Sequence, residues 1–170
     1  MSDRPTLNEE IRALDAEADA ERFADPKEAR KKAMDYLARR EYGLGELKRK
    51  LANAGFQRDA VERAADQLAA EGLQDDARFA EGFVQARANR GKGPVTIQSE
   101  LAQRGLDAGL VNTALAESGV DWFALAREVR LKKFGEAVPV TWKEKARQMR
   151  FLQYRGFDPE QIRAAVGDDD

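Results

Sequence analysis

The chain has 170 residues, with 29 Lys and Arg against 31 Asp and Glu, and it contains no His and no Cys. Without Cys there is no disulfide scaffold, thiol nucleophile or thiolate zinc site; without His there is no Ser-His-Asp triad and the commonest general base is missing. Carboxylate and lysine chemistry remain open, so an enzyme is disfavoured rather than excluded, and neither a cofactor nor a metal is implied. No apolar run approaches the ~18 residues that cross a bilayer. The start, MSDRPTLNEE, lacks the basic and apolar parts of a signal peptide, so a cytoplasmic protein without a membrane partner is expected.

The apolar share of 42% includes 29 alanines, which leaves larger apolar residues at about a quarter of the chain. That composition forms helices with thin apolar stripes rather than one deep core. The net charge of −2 conceals a segregation: residues 1–25 carry −5, residues 158–170 carry −4, and residues 26–157 carry +7. Residues 127–157 alone hold nine bases and three acids. Such a basic body suits a polyanion, with acidic ends that screen it or compete for it; solvated helix faces with acidic termini are the plainer reading.

In chain order, residues 1–24 carry only a weak pattern (Leu7, Ile11, Leu14) and read as an acidic extension of uncertain order, either disordered or a loose helix. Strong helix signals begin at Asp25-Pro26-Lys27-Glu28, which offers an N-cap, a proline at the first helical position and a Glu at the third. Asp158-Pro159-Glu160-Gln161 repeats the device, and Gly93-Pro94 is another helix entry. Helix ends are marked by Gly followed by an apolar residue, at Gly55, Gly72, Gly105, Gly119 and Gly156.

Three of these marks reveal a period, because Gly55, Gly105 and Gly156 lie 50 and 51 residues apart. Four residues before them stand Leu51, Leu101 and Leu152; six after, Val61, Val111 and Ile162; ten after, Ala65, Leu115 and Val166. Each repeat reads as three helices. Repeat 1 (25–73) has helices at 26–40, 44–54 and 57–71. Repeat 2 (74–120) has them at 75–90, 94–104 and 107–118. Repeat 3 (121–167) has them at 121–134, 141–155 and 158–166, with a longer first loop; an acidic tail, 168–170, follows. The fold class is all-α: a tandem array of three three-helix units, elongated and curved, sharing interfaces because each unit buries only a small core.

Asp75-Asp76 read as a helix cap in preference to a metal pair, and Asp168-Asp169-Asp170 as a solvated tail. Gly91-Lys92-Gly93-Pro94 lacks the features of a phosphate loop. The aromatics Trp122, Trp142, Phe79, Phe83, Tyr36 and Tyr42 are able to stack on bases. Most sit at core spacing, and Tyr42, in a turn, is expected to be the exposed one. The basic residues say more. Arg87, Arg90 and Lys92 close the first helix of repeat 2, and Lys132 and Lys133 close its counterpart in repeat 3. A favourable interaction with the helix dipole, worth about a few tenths of a kcal/mol, is enough to account for them. Lys143, Arg147 and Arg150 fall at i, i+4 and i+7 on one face, with Arg155 beyond, a stripe suited to phosphates or acidic side chains. Each unit also passes for a helix-turn-helix, a weak signal because any short helix pair with a Gly turn resembles one.

Residues 36–51, YLARREYGLGELKRKL, resemble the opening motif of the RecX family. Residues 71–106, EGLQDDARFAEGFVQARANRGKGPVTIQSELAQRGL, resemble its central motif, and residues 144–157, EKARQMRFLQYRGF, its C-terminal motif. The likeness spans about 30–166. It implies tandem three-helix repeats in a non-enzymatic regulator, mainly an inhibitor, of the RecA recombinase. The implied target is the RecA filament on single-stranded DNA, whose growth, ATPase, strand exchange and coprotease activity it restrains in recombination, DNA repair and the SOS response. On that reading the array lies in the filament groove as a monomer, with at most weak direct DNA contact. The expected contacts are Arg87, Arg90, Lys92 and Arg104 in repeat 2 and Lys132, Lys133, Lys143, Arg147, Arg150 and Arg155 in repeat 3. Only the first three lie in the turn of the central motif; the rest follow from charge and spacing. Acidic residues 1–24 are a candidate for covering the basic face. The competing readings are a DNA-binding helical repeat protein without a RecA target and a helical scaffold for another protein.

Overall fold

The computed structural model describes residues 3–167, and the acidic tail at 168–170 lies outside the described residues. Among the described residues there are ten α-helices and no strand. The first, α1, spans Leu7–Ala24; the other nine group in threes. Repeat 1 contains α2 (Pro26–Arg39), α3 (Leu44–Asn53) and α4 (Arg58–Ala70). Repeat 2 contains α5 (Asp76–Asn89), α6 (Pro94–Gln103) and α7 (Ala108–Glu117). Repeat 3 contains α8 (Trp122–Phe134), α9 (Trp142–Tyr154) and α10 (Pro159–Val166). The helix signals act as read. Asp25 accepts from the Lys27 amide at 2.9 Å, Asp121 from Ala124 at 3.0 Å, and Asp158 and Gln161 exchange bonds in a capping box. All five C-terminal glycines have positive φ.

The chain divides into two units, one ending at Asp75 and one beginning at Asp76. In the first, α2 packs on α4 through Ala29, Ala33, Ala60 and Ala64, and α3 closes the core with Leu47 and Leu51. The alanine-rich composition thus has a structural use: small side chains let two helices lie close without a thick apolar layer. Lys48 on α3 clamps α4, its Nζ 2.8 Å from Glu62 and 2.9 Å from Asp66. The hydrogen bond to Glu62 holds its ammonium above the usual lysine range, against a smaller opposing effect of burial. The clamp is therefore intact at neutral pH and is lost only as pH rises through that raised value. The acidic segment before α2 is a helix, with a capping box at its start: Glu9 accepts from the Thr6 amide at 2.7 Å. No residue of α1 is buried. It is held at its C-terminal end, where Phe23 meets Phe56 edge-on at 5.3 Å and the Phe23 carbonyl accepts from the Gln57 amide at 2.8 Å.

The second unit contains repeats 2 and 3. Phe79, Val84, Ile97, Leu101 and Val111 form the core of repeat 2; Ala126, Leu152, Phe157, Ile162 and Val166 form that of repeat 3. In every repeat the first helix packs chiefly on the third. The periodic positions carry the cores, with Leu51, Leu101 and Leu152 all fully buried. Trp122, at the start of α8, packs against the core of repeat 2.

The two repeats meet end to end. The Gly93 and Val95 amides, at the N-terminus of α6, donate to the Arg155 and Gly156 carbonyls at the C-terminus of α9, at 2.8 and 2.9 Å. A helix start has amides without partners and a helix end has carbonyls without partners, so each satisfies the other, and the two dipoles align favourably. The approach leaves no room for side chains. A Cβ at Gly93 would strike the Gly156 carbonyl group, and a Cβ at Gly156 would strike the Thr96 side chain.

Two aromatic expectations need correction. Tyr42 is buried, at 4% exposure, because the turn folds it into the repeat 1 core and the Arg40 guanidinium lies 3.6 Å over its ring. Trp142, at core spacing in the sequence, is 71% exposed. The buried axis of α9 runs through Gln148 and Leu152, and Trp142 falls about a quarter turn away, in the first turn of the helix.

The junction yields a stability test. Gly105 and Gly156 both have positive φ, but only Gly156 has neighbours within reach of an added Cβ. Gly156→Ala should cost about 1–3 kcal/mol more than Gly105→Ala in urea unfolding, because both pay the left-handed penalty and only the former overpacks. Equal costs would mean that the junction is not closely packed.

Candidate functional site

The residues where repeats 2 and 3 meet also form a basic cleft. The end of α5 and its turn supply Asn89, Arg90 and Gly91; α8 supplies Leu125, Glu128, Val129, Lys132 and Lys133; α9 supplies Phe151 and Arg155. The cleft encloses about 330 Å³. Arg155 is its hinge-pin: the Nη2 group donates to the Arg90 carbonyl at 2.6 Å and lies against Gly91, which has a φ of +76°. The cation therefore caps the end of α5 while its stem stays with α9. Arg90, Lys132 and Lys133 stand exposed at the rim. Lys132 pairs loosely with Glu128 at 3.4 Å, with both side chains well exposed, and Lys133 sits 5.5 Å over the Phe151 ring. Exposed pairs of this kind contribute little and are readily exchanged for a stronger anion.

Four of the ten sequence candidates thus come together: Arg90, Lys132, Lys133 and Arg155. Lys92 lies half-buried in the adjoining turn. Arg87 and Arg104 are drawn elsewhere. Arg87 Nε bonds Glu100 at 2.8 Å, and both guanidiniums lie on the Phe83 ring, at 4.3 and 5.0 Å, tying α5 to α6 within repeat 2. The stripe of Lys143, Arg147 and Arg150 does lie on α9, but its members have different neighbours. Arg147 pairs with Glu144 at 3.3 Å and covers Phe134 at 5.2 Å. Arg150 borders a hollow with Trp142, Met149 and Ile162. Lys143 is exposed in the first turn. The same pattern of charge and helical period thus contains both bracing cations and exposed ones.

None of the basic contacts expected from sequence lies in repeat 1. There Lys32 and Lys50 lie 5.3 and 5.0 Å from the Tyr36 ring, and Tyr36, Arg49 and Lys50 line a hollow of about 440 Å³. The available signal was the Lys32–Tyr36 spacing of four on one helix, which places a cation over a ring. Among the described residues no helix is long and apolar enough to cross a membrane.

The fold and this surface define a class: an all-α protein of tandem three-helix repeats with a basic cleft on its second unit. Sequence models of the RecX family match it repeat by repeat. The first RecX three-helix domain covers residues 29–68, the second 75–115 and the third 120–166. The regulatory protein RecX of Pseudomonas entomophila (strain L48) is 48% identical over 137 residues, 81% of this chain and 88% of the relative. That of Halorhodospira halophila (strain DSM 244 / SL1) is 48% identical over 134 residues, 79% of this chain and 83% of the relative. The chain belongs to the RecX family of regulatory proteins. Among solved structures, RecX from Lactobacillus salivarius superposes with a TM-score of 0.71 at 19% identity, covering 84% of this chain and 94% of that one. A second RecX crystal structure reaches 0.73 at 21% identity, covering 99% and 81%. At those identities the likeness is one of fold.

The cleft depends on Arg155 keeping both of its attachments. Arg155→Lys retains the charge but loses the planar fork that reaches the Arg90 carbonyl. It should destabilise the second unit by about 1–2 kcal/mol, read by chemical denaturation. A neutral result would mean that Arg155 is an ordinary surface cation.

Proposed function

We propose that this protein is a non-enzymatic cytoplasmic regulator of the RecA recombinase. It binds RecA–single-stranded DNA filaments and restrains their growth, ATPase, strand exchange and coprotease activity in recombination, DNA repair and the SOS response. The observation that carries this reading is the match of all three repeats to RecX domains, with each repeat in order. The basic cleft supplies a physical means. Among the described residues, Arg90, Lys132 and Lys133 present cations that no strong internal pair consumes, and Arg155 fixes the rim. Lys92, Lys143, Arg147 and Arg150 extend the basic surface, while Arg87 and Arg104 act by holding repeat 2 in shape. The partner groups are DNA phosphates or acidic side chains along the filament, both of which suit cations on a firm support.

A modest net charge, with acidic ends, favours a composite filament surface over bare DNA, where affinity would rest on charge alone. The test is a titration into preformed RecA–single-stranded DNA filaments, following DNA-dependent ATP hydrolysis, beside anisotropy on the bare strand. ATPase should fall at protein well below one per RecA, with weak bare-strand binding. Reversing Arg90, Lys132 and Lys133 to Glu should raise the half-inhibitory concentration by about tenfold or more, a loss of at least ~1.4 kcal/mol. Unaffected ATPase would overturn the assigned partner. Unchanged inhibition by the triple variant would overturn the assigned surface.

A further inference from the structure

An exposed apolar stripe and an open apolar hollow are complementary. The first is on α1. Leu7, Ile11 and Leu14, at i, i+4 and i+7, are 71, 47 and 64% exposed. The helix around them carries six acids and two bases. The second is on repeat 3, where Trp142, Ala146, Met149 and Ile162 line a hollow of about 320 Å³ flanked by Arg150 and Arg163. Its floor is apolar and its edge is basic.

We propose that the acidic stripe of α1 in one copy of this chain seats in the repeat 3 hollow of a second copy. The spacing is that of an amphipathic helix entering a groove, with apolar side chains at one-turn intervals aimed at an aromatic and aliphatic floor. The charges are opposite in sign: a helix of net charge −4 meets a rim of two arginines. The helix is also prepared for the role. Its capping box fixes the first turn, and Phe23 and Asp25 fix the last, so binding orders little new chain. The stripe begins sixteen residues before Phe23 and ends nine before it, roughly 14–24 Å along the axis. A helix held, among the described residues, at its C-terminal end, with its apolar face this far away, is suited to reach a neighbour. The interface joins different surfaces on the two copies, so it is heterologous and extends head to tail instead of closing as a two-fold dimer. That replaces the monomer expected from sequence with a weak, concentration-dependent chain of copies, an arrangement suited to lining a long target. The proposal stands independently of the identity of that target.

The test uses the full chain in sedimentation equilibrium. Leu7→Gln/Ile11→Gln/Leu14→Gln removes the stripe at exposed positions that tolerate Gln in a helix. Trp142→Asp/Arg163→Glu removes the hollow's wall and one flanking charge. Circular dichroism confirms that both variants remain folded. The wild-type mass should rise with concentration above the 19.0 kDa of one chain, and less so at high salt. Each variant alone should remain at one chain mass. An equimolar mixture should reach two chain masses and stop, because one intact stripe then meets one intact hollow. A wild-type chain that stays monomeric at every concentration, as it would if α1 covered its own basic face, overturns the proposal. So does a mixture that does not associate, or a variant that associates like the wild type.

Discussion

The second unit of this protein depends on one contact: the start of α6 against the end of α9. Both are places where a helix leaves its backbone groups without partners, and burying them there unpaired would be costly. Placing one against the other removes both costs, provided that the backbones approach within hydrogen-bonding distance. Gly93 and Gly156 make that possible, because any side chain at either position would hold the two ends apart. Pro94 completes the arrangement, since the first helical position needs no amide. Once the ends are joined, Arg155 necessarily lies against the turn at Arg90 and Gly91, and the cleft between α5, α8 and α9 follows.

The rest of the chain shows how a protein with a third of its residues charged divides those charges between structure and surface. Lys48, Arg30, Arg40 and Arg87 are held in ion pairs of 2.7–2.9 Å that link helices or turns. Others, Arg104, Lys133 and Arg147 among them, lie over aromatic rings. Of the cations left for a partner, Arg90, Lys132 and Lys133 are a minority gathered where two repeats meet, beside exposed bases elsewhere such as Arg58, Arg63, Arg127 and Lys143. The function proposed for the chain uses that minority, and the remaining cations explain why a nearly neutral protein still needs so many.

Much of the fold was legible in the sequence because its signals are local. Asp-Pro starts, Gly stops and the leucine four residues before each stop fix helix ends and buried positions to within a residue or two. Tyr42 and Trp142 were misread for a shared reason: exposure depends on what a neighbouring segment covers, and helical period does not report that. Tyr42 is in a turn that folds inward under Arg40. Trp142 keeps the right spacing to Ala146 and Met149, but the core lies on the adjacent face of α9, through Gln148 and Leu152. The site was legible only as a set of cations. Arg87 and Arg155 look alike in the sequence, yet one braces α5 to α6 and the other pins two repeats together. Only the Gly93–Gly156 approach, between residues 63 positions apart, decides which.

That approach can be measured directly through amide hydrogen exchange in the intact chain. If the two helix ends are joined as described, the Gly93 and Val95 amides should be protected to the same degree as the core amides of α8 and α10, and should open together with them. Exchange at these two amides as fast as at an exposed turn, while α8 and α10 stay protected, would contradict it. Repeats 2 and 3 would then be linked by the chain and the Trp122 contact, and the cleft would not be a fixed surface.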